Sequence, residues 1–178
     1  MPTVFSHAIF ASAIGTAYAG EPTPWSFWVL TASCAMLPDV DAIGFAFGVR
    51  YDSMWGHRGL THSIAFAVLV GLAAGMFAFG KRSNGPGRLQ LSLYFTLVTL
   101  SHPLLDALTN GGRGVALFAP FSAERYFFPW RPIEVSPIGM GFFSSRGLEV
   151  LVSEIVWVWL PAMLIFVGAR MYRKSRRA

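Results

Sequence analysis

Five apolar stretches divide the chain, separated by polar or basic segments. The first, Val4 to Ala19, is broken only by Ser, Thr and His7. It has no basic leading segment and runs into Glu21-Pro22-Thr23-Pro24, so it reads as a retained helix, although Ala17-Tyr18-Ala19 mimics a small-residue cleavage site. The second, Trp25 to Leu37, is short for a full crossing at about 1.5 Å per residue. Pro38 disfavours helical geometry at the residue before it, which predicts a helix end at Leu37 and leaves Asp39 and Asp41 in a loop. Residues 42–56 read as an interfacial loop. Leu60 to Phe79 and Leu89 to Leu108 are each about twenty residues, the length of a membrane span, with Thr61 or Ser63 available to cap the first. Thr109 to Gly147 is the longest loop, and Leu148 to Val167 is the last span. The pattern predicts an all-α, polytopic helical membrane protein: one domain over residues 1–178, with about five transmembrane or membrane-embedded helices.

Composition sharpens this reading. Only 13% of the 178 residues are charged while 54% are hydrophobic, and the mean hydropathy is +0.51. A net charge of +5 raises the question of nucleic acid. The placement of the charges argues against it, because eight of the fourteen basic residues sit in 81–88 and 170–177, each flanking an apolar run. By the positive-inside rule these two segments face the cytoplasm, with the N-terminus outside and the C-terminus inside. The ends that carry His7, Asp39, Asp41, His57, His62, His102 and Asp106 then share the outer face. A single cysteine, Cys34, excludes an internal disulfide and a thiolate metal site.

The chemistry concentrates in these polar residues. His102 and Asp106 are four apart on a predicted helix and share one side of it. His57 and His62 flank Gly59, so His57 is expected in a loop and His62 in a first helical turn. Asp39 and Asp41 are two apart, which in extended chain puts them on one side. Four His and three Asp exceed the needs of one tetrahedral ion, so either two ions or one ion with further charged groups around it is expected. Imidazole and carboxylate without thiolate suit zinc, manganese or iron(II). Glu154, two turns into the last span, is an ionisable group at membrane depth and a functional candidate. The arginines expected on the outer side (Arg50, Arg58, Arg113, Arg125, Arg131 and Arg146) point to a phosphoryl substrate, because guanidinium binds phosphate bidentately.

The chain resembles the YdjM-type family of bacterial and archaeal membrane-associated proteins labelled metal-dependent hydrolases. The resemblance rests on His7, Leu37-Pro38-Asp39-Val40-Asp41, His57-Arg58-Gly59-Leu60-Thr61-His62-Ser63 and Ser101-His102-Pro103-Leu104-Leu105-Asp106, and it continues through Gly111-Gly112 and Ala119–Phe127. It implies an inner-membrane location and hydrolase activity. The ligand set is more loosely similar to that of zinc phospholipase C-type sites, without their later His and Glu ligands. The expected function is hydrolysis of a phosphoester or lipid-associated substrate by a metal-activated water. Asp41 or Glu154 would act as base or orienting group, and Arg58 would neutralise developing charge. Two other readings compete: a non-catalytic membrane scaffold with a structural metal, and a divalent-cation transporter or sensor. The last would need polar groups through the membrane thickness, where the inner halves of the spans offer mainly Ser and Thr.

Overall fold

The computed structural model describes residues 1–20, 22–77, 87–137 and 139–176. The basic turn at 81–86, expected to face the cytoplasm, lies outside the described residues. Helices dominate, and the described residues contain no strand, only isolated bridges pairing Thr109 with Ile133 and Val115 with Tyr126. Helix α1 spans Val4–Tyr18, and the Thr3 side chain caps it by accepting from the Ser6 amide. Helix α2 spans Trp25–Met36. It does not run out into a loop. Beyond Met36 the chain tightens into a 3-10 helix, Leu37–Phe47, that ends at Gly48 with φ of +73°. Pro38 falls in its first turn, where the missing N–H has no partner to lose. The expected loop around Asp39 and Asp41 is therefore helical, and so is the start of the expected interfacial loop.

A short 3-10 turn, Leu60–His62, leads into α3, Ile64–Phe77. Ser63 supplies the expected cap, its hydroxyl accepting from the Phe66 amide at 3.0 Å. Helix α4 spans Arg88–Ala107 and runs through Pro103. The last helical stretch combines α5, Ser145–Glu154, a π turn at Ile155–Trp159, and α6, Leu160–Ser175. The widened turn precedes Pro161, which has no N–H to continue the α-helical pattern.

Two contacts fix the bundle. Helices α3 and α4 pack at close range because Gly71 and Gly75 face Thr96 and Ser92, and a Cβ at either glycine would overlap the α4 backbone. Around α1, α2 and α4, Tyr94 stacks against Tyr18 and Phe27 at ring distances of 4.3 and 5.1 Å. Its buried hydroxyl is satisfied by Thr31 Oγ1 at 2.9 Å.

Among the described residues, two helical stretches are long and apolar enough to cross a membrane, Trp25–Phe47 and Ser145–Ser175. Helices α1 and α3 are apolar but have 15 and 14 residues. At about 1.5 Å per residue, both fall short of a ~30 Å hydrocarbon core. Exposed Leu148, Val152, Met163, Leu164 and Met171 give the last stretch an apolar outer surface, as expected for a face turned to lipid.

Candidate metal centre

The start of α1, the beginning of the 3-10 helix, the Leu60–His62 turn and the end of α4 meet at one end of the bundle. Four donor atoms converge there. His62 Nε2 lies 3.6 Å from Asp39 Oδ1, 3.4 Å from Asp106 Oδ2 and 3.1 Å from His102 Nε2. His102 Nε2 lies 3.3 Å from Asp39 Oδ1. Zinc bonds to N and O at about 2.0–2.2 Å, so the edge of a tetrahedron of such bonds is about 3.3–3.6 Å. The four separations above, 3.1–3.6 Å, lie close to that value.

Local structure explains why each donor points inward. His102 Nδ1 donates to the Ala35 carbonyl at 2.7 Å, which leaves the lone pair of Nε2 facing the cluster. Ala35 lies in the last turn of α2, where helix carbonyls lack intrahelical partners. A 3-10 helix has three residues per turn, so Asp39 and Asp41 point about 120° apart rather than to one side. Asp39 reaches the four-donor cluster while Asp41 reaches its outer edge. There Asp41 Oδ1 is 2.6 Å from His57 Nδ1, and Oδ2 accepts from the Thr61 hydroxyl at 2.5 Å and from the Arg58 amide at 3.1 Å. Asp41 Oδ2 also lies 3.1 Å from His62 Nδ1. Asp41, His57 and His62 form a second possible ligand group that shares His62 with the first.

Arg58 is fully buried, and its backbone takes a left-handed φ of +63°. Its Nε lies 2.9 Å from Asp106 Oδ2, and its two terminal nitrogens donate to the Gly111 carbonyl and to Thr109 Oγ1, both at 3.0 Å. Gly112, with φ of +88°, passes so close that a Cβ there would lie 2.7 Å from the guanidinium and 2.9 Å from the Tyr51 hydroxyl. Arg125 holds the covering loop in place by donating to the carbonyls of His57, Tyr51 and Ser53.

The remaining candidates sit apart from the four-donor group. His7 stacks on His102 with centroids 3.7 Å apart, and its Nε2 is 3.6 Å from Asp106 Oδ1. Glu154 contacts no His or Arg of the cluster. Its carboxylate accepts from the Thr3 amide, the Thr3 hydroxyl and the Ser6 hydroxyl at 2.5–2.6 Å. Of the other outer arginines, Arg146 pairs with Glu134 and Glu149, Arg50 and Arg113 lie by Asp52, and Arg131 covers the Phe127 ring. The sequence reading missed Thr61 as a partner of Asp41, although Thr61 lies inside the motif it singled out. It also missed Thr109 and the Ala35 carbonyl.

The electrostatics call for a cation. The side chains of Asp39 and Asp106 are 7% and 0% exposed, and none of their four oxygens accepts a hydrogen bond. Buried carboxylates without donors are strongly unfavourable unless a cation sits beside them. Asp39, Asp41 and Asp106 bring three carboxylates together, and Arg58 stands beside one of them, Asp106. Burial opposes a charge on His62, but the carboxylates of Asp106, Asp39 and Asp41 outweigh it and raise its pKa to about 10. The residues therefore fit a divalent ion in donor type, number and spacing.

The sequence model of the family described as YdjM inner membrane protein matches residues 1–176. The chain belongs to the YdjM family. This YdjM-family chain is also 41% identical over 175 residues to the inner membrane protein YbcI of Escherichia coli (strain K12), covering 98% of this chain and 99% of that protein. No solved structure matches it. Membership of a family of inner membrane proteins agrees with the apolar outer surface of Ser145–Ser175.

Proposed function

We propose that this YdjM-family protein is a multi-pass inner-membrane hydrolase that works with one divalent ion held by Asp39, His62, His102 and Asp106. The observation that carries the reading is the pairing of tetrahedral-edge spacings with buried carboxylates that have no hydrogen-bond donor. Zinc suits the N and O donor set best, and manganese and iron(II) are the alternatives. Such an ion supplies Lewis acidity and lowers the pKa of a coordinated water towards neutrality.

The protein's own groups divide the remaining work. Asp41 orients His57 and His62 from outside the ligand set, so a single ion accounts for the geometry without a second one. Arg58 has both terminal nitrogens hydrogen-bonded and its Nε against Asp106, so it positions Asp106. The two ring nitrogens of His7 accept or donate no hydrogen bond, which leaves His7 as the group to add a ligand or to take up a proton. Glu154 fastens the start of α1 to α5. At the rim, Arg50 and Arg113 keep their guanidiniums exposed beside Asp52 and Tyr51. That supports a phosphoester, free or lipid-linked, as the substrate class. The basic tail supports a cytoplasmic C-terminus, which labelling of a Ser175→Cys, Cys34→Ser variant in intact cells tests: reaction with an impermeant reagent would reverse the orientation.

One observation favours a second reading, the structural-metal scaffold. Four protein ligands close a tetrahedral zinc shell, whereas catalytic sites keep a position open. A five- or six-coordinate ion would keep such a position. Turnover of chromogenic phosphate mono- and diesters by purified protein in detergent separates the two. The hydrolase predicts turnover that needs added zinc, manganese or iron(II) and is lost in Asp39→Asn and His102→Ala. Full metal occupancy with no turnover of any ester would favour the scaffold.

A further inference from the structure

A cavity of about 720 Å³ that shares no residue with the four-donor group runs between α1 and α6, with Trp28 on a third side. Ala8, Ser12 and Thr16 line it from α1, and Ala162 and Phe166 from α6. The positions on α1 are four apart and share one face. The Ser12 and Thr16 hydroxyls donate to the carbonyls of Ala8 and Ser12 within their own helix, so they offer the cavity little unmet polarity. From Ala162 to Arg173 the wall rises about 16 Å at about 1.5 Å per residue, close to half of a ~30 Å hydrocarbon core.

The basic end of the cavity differs in kind. Arg170 and Arg173 line it, and no acidic side chain does among the described residues. Arg173 Nη2 is buried and has no hydrogen-bond partner, a state that calls for an anion. A second trough of about 530 Å³, walled by Leu164, Ile165, Gly168 and Tyr172, shares Ala19 and Arg173 with the first. Two apolar channels thus lead away from one guanidinium, which matches the shape of a two-chain amphiphile with an anionic head. Arginine suits phosphate because its fork binds two oxygens at once. Basic pockets between membrane helices on the cytoplasmic side are where anionic headgroups bind.

We propose that the α1–α6 seam is a binding site for an anionic phospholipid, with its phosphate on Arg173 and its acyl chains in the two channels. The site is independent of the metal centre and holds whether or not the protein is an enzyme. The test is native mass spectrometry of the full chain released from detergent after titration with phosphatidylglycerol or phosphatidylcholine of identical chains. The wild type should retain phosphatidylglycerol about fivefold or more in preference. Arg173→Gln should abolish the preference, while Ser12→Leu, which fills the main channel, should lower retention of both lipids without changing the preference. Equal retention of the two lipids by the wild type, or a preference that survives Arg173→Gln, would overturn the proposal. So would complete displacement of phosphatidylglycerol by millimolar inorganic phosphate, which would mark a free-phosphate site. A dimer that disappears in Ser12→Leu would assign the seam to a second copy of the chain instead.

Discussion

Asp106 and Glu154 are both wholly buried carboxylates in helices of one bundle, yet their surroundings are opposite. Glu154 receives three hydrogen bonds from Thr3 and Ser6, and Ser6 is itself held by the Trp159 indole at 2.7 Å. Asp106 receives none; beside it lie the flank of Arg58 and two imidazoles at 3.4 and 3.6 Å. The first is a finished carboxylate that ties helix ends together. The second has no hydrogen-bond donor on either oxygen. Burial alone would mark both as functional suspects, but the supply of donors separates them.

That contrast can be broken at several points. The largest effect is expected at Arg58, because Arg58→Ala strips Asp106 of its guanidinium partner and frees Thr109 and Gly111. Removing one partner of a buried ion pair costs about 3–5 kcal/mol, so the melting temperature in detergent should fall steeply and metal content should fall with it. Unchanged metal content in a folded Arg58→Ala protein would free Arg58 for a role on substrate. Glu154→Gln comes next. It keeps the shape but replaces a charged acceptor of three hydrogen bonds, a loss of about 2–3 kcal/mol, while metal stoichiometry should stay at the wild-type value. Loss of metal in that variant would bring Glu154 into the centre after all. Gly112→Ala should have the smallest effect, about 1–2 kcal/mol for a left-handed residue. Its new methyl group presses on the Arg58 guanidinium, so metal affinity measured by competition with a chromogenic chelator should weaken. Affinity equal to wild type would show that Arg58 can give way.

Much of this was legible in the sequence. Hydropathy marked the starts of the helices to within a few residues, whereas the last helical stretch, Ser145–Ser175, runs eight residues past its expected end at Val167. The spacing of His102 and Asp106 put both on one side of α4, and Gly59 separated His57 from His62. The course of the chain after Pro38 was not legible. A proline ends the α-helical pattern but is compatible with a 3-10 helix, and nothing local chooses between that helix and a loop. The choice decides the centre, since it turns Asp39 inward and Asp41 to the edge. Backbone partners were also hidden. The Ala35 carbonyl that orients His102 carries no side-chain signature, and the left-handed backbone of Arg58 shows only in three dimensions. Nor does sequence reveal how many helices cross the membrane, because α1 and α3 are apolar but short.

The central claim is that the carboxylates of Asp39 and Asp106 are completed by a divalent ion. Its most direct test is elemental analysis of the purified protein in detergent, paired with melting curves with and without chelator, for the wild type and Asp106→Asn. The account predicts about one divalent ion per chain in the wild type and a lower melting temperature on chelation, because an ion bound only by the folded state stabilises it. It also predicts that Asp106→Asn loses both the ion and the chelator response. A wild type that carries no metal and melts at the same temperature with chelator would contradict it.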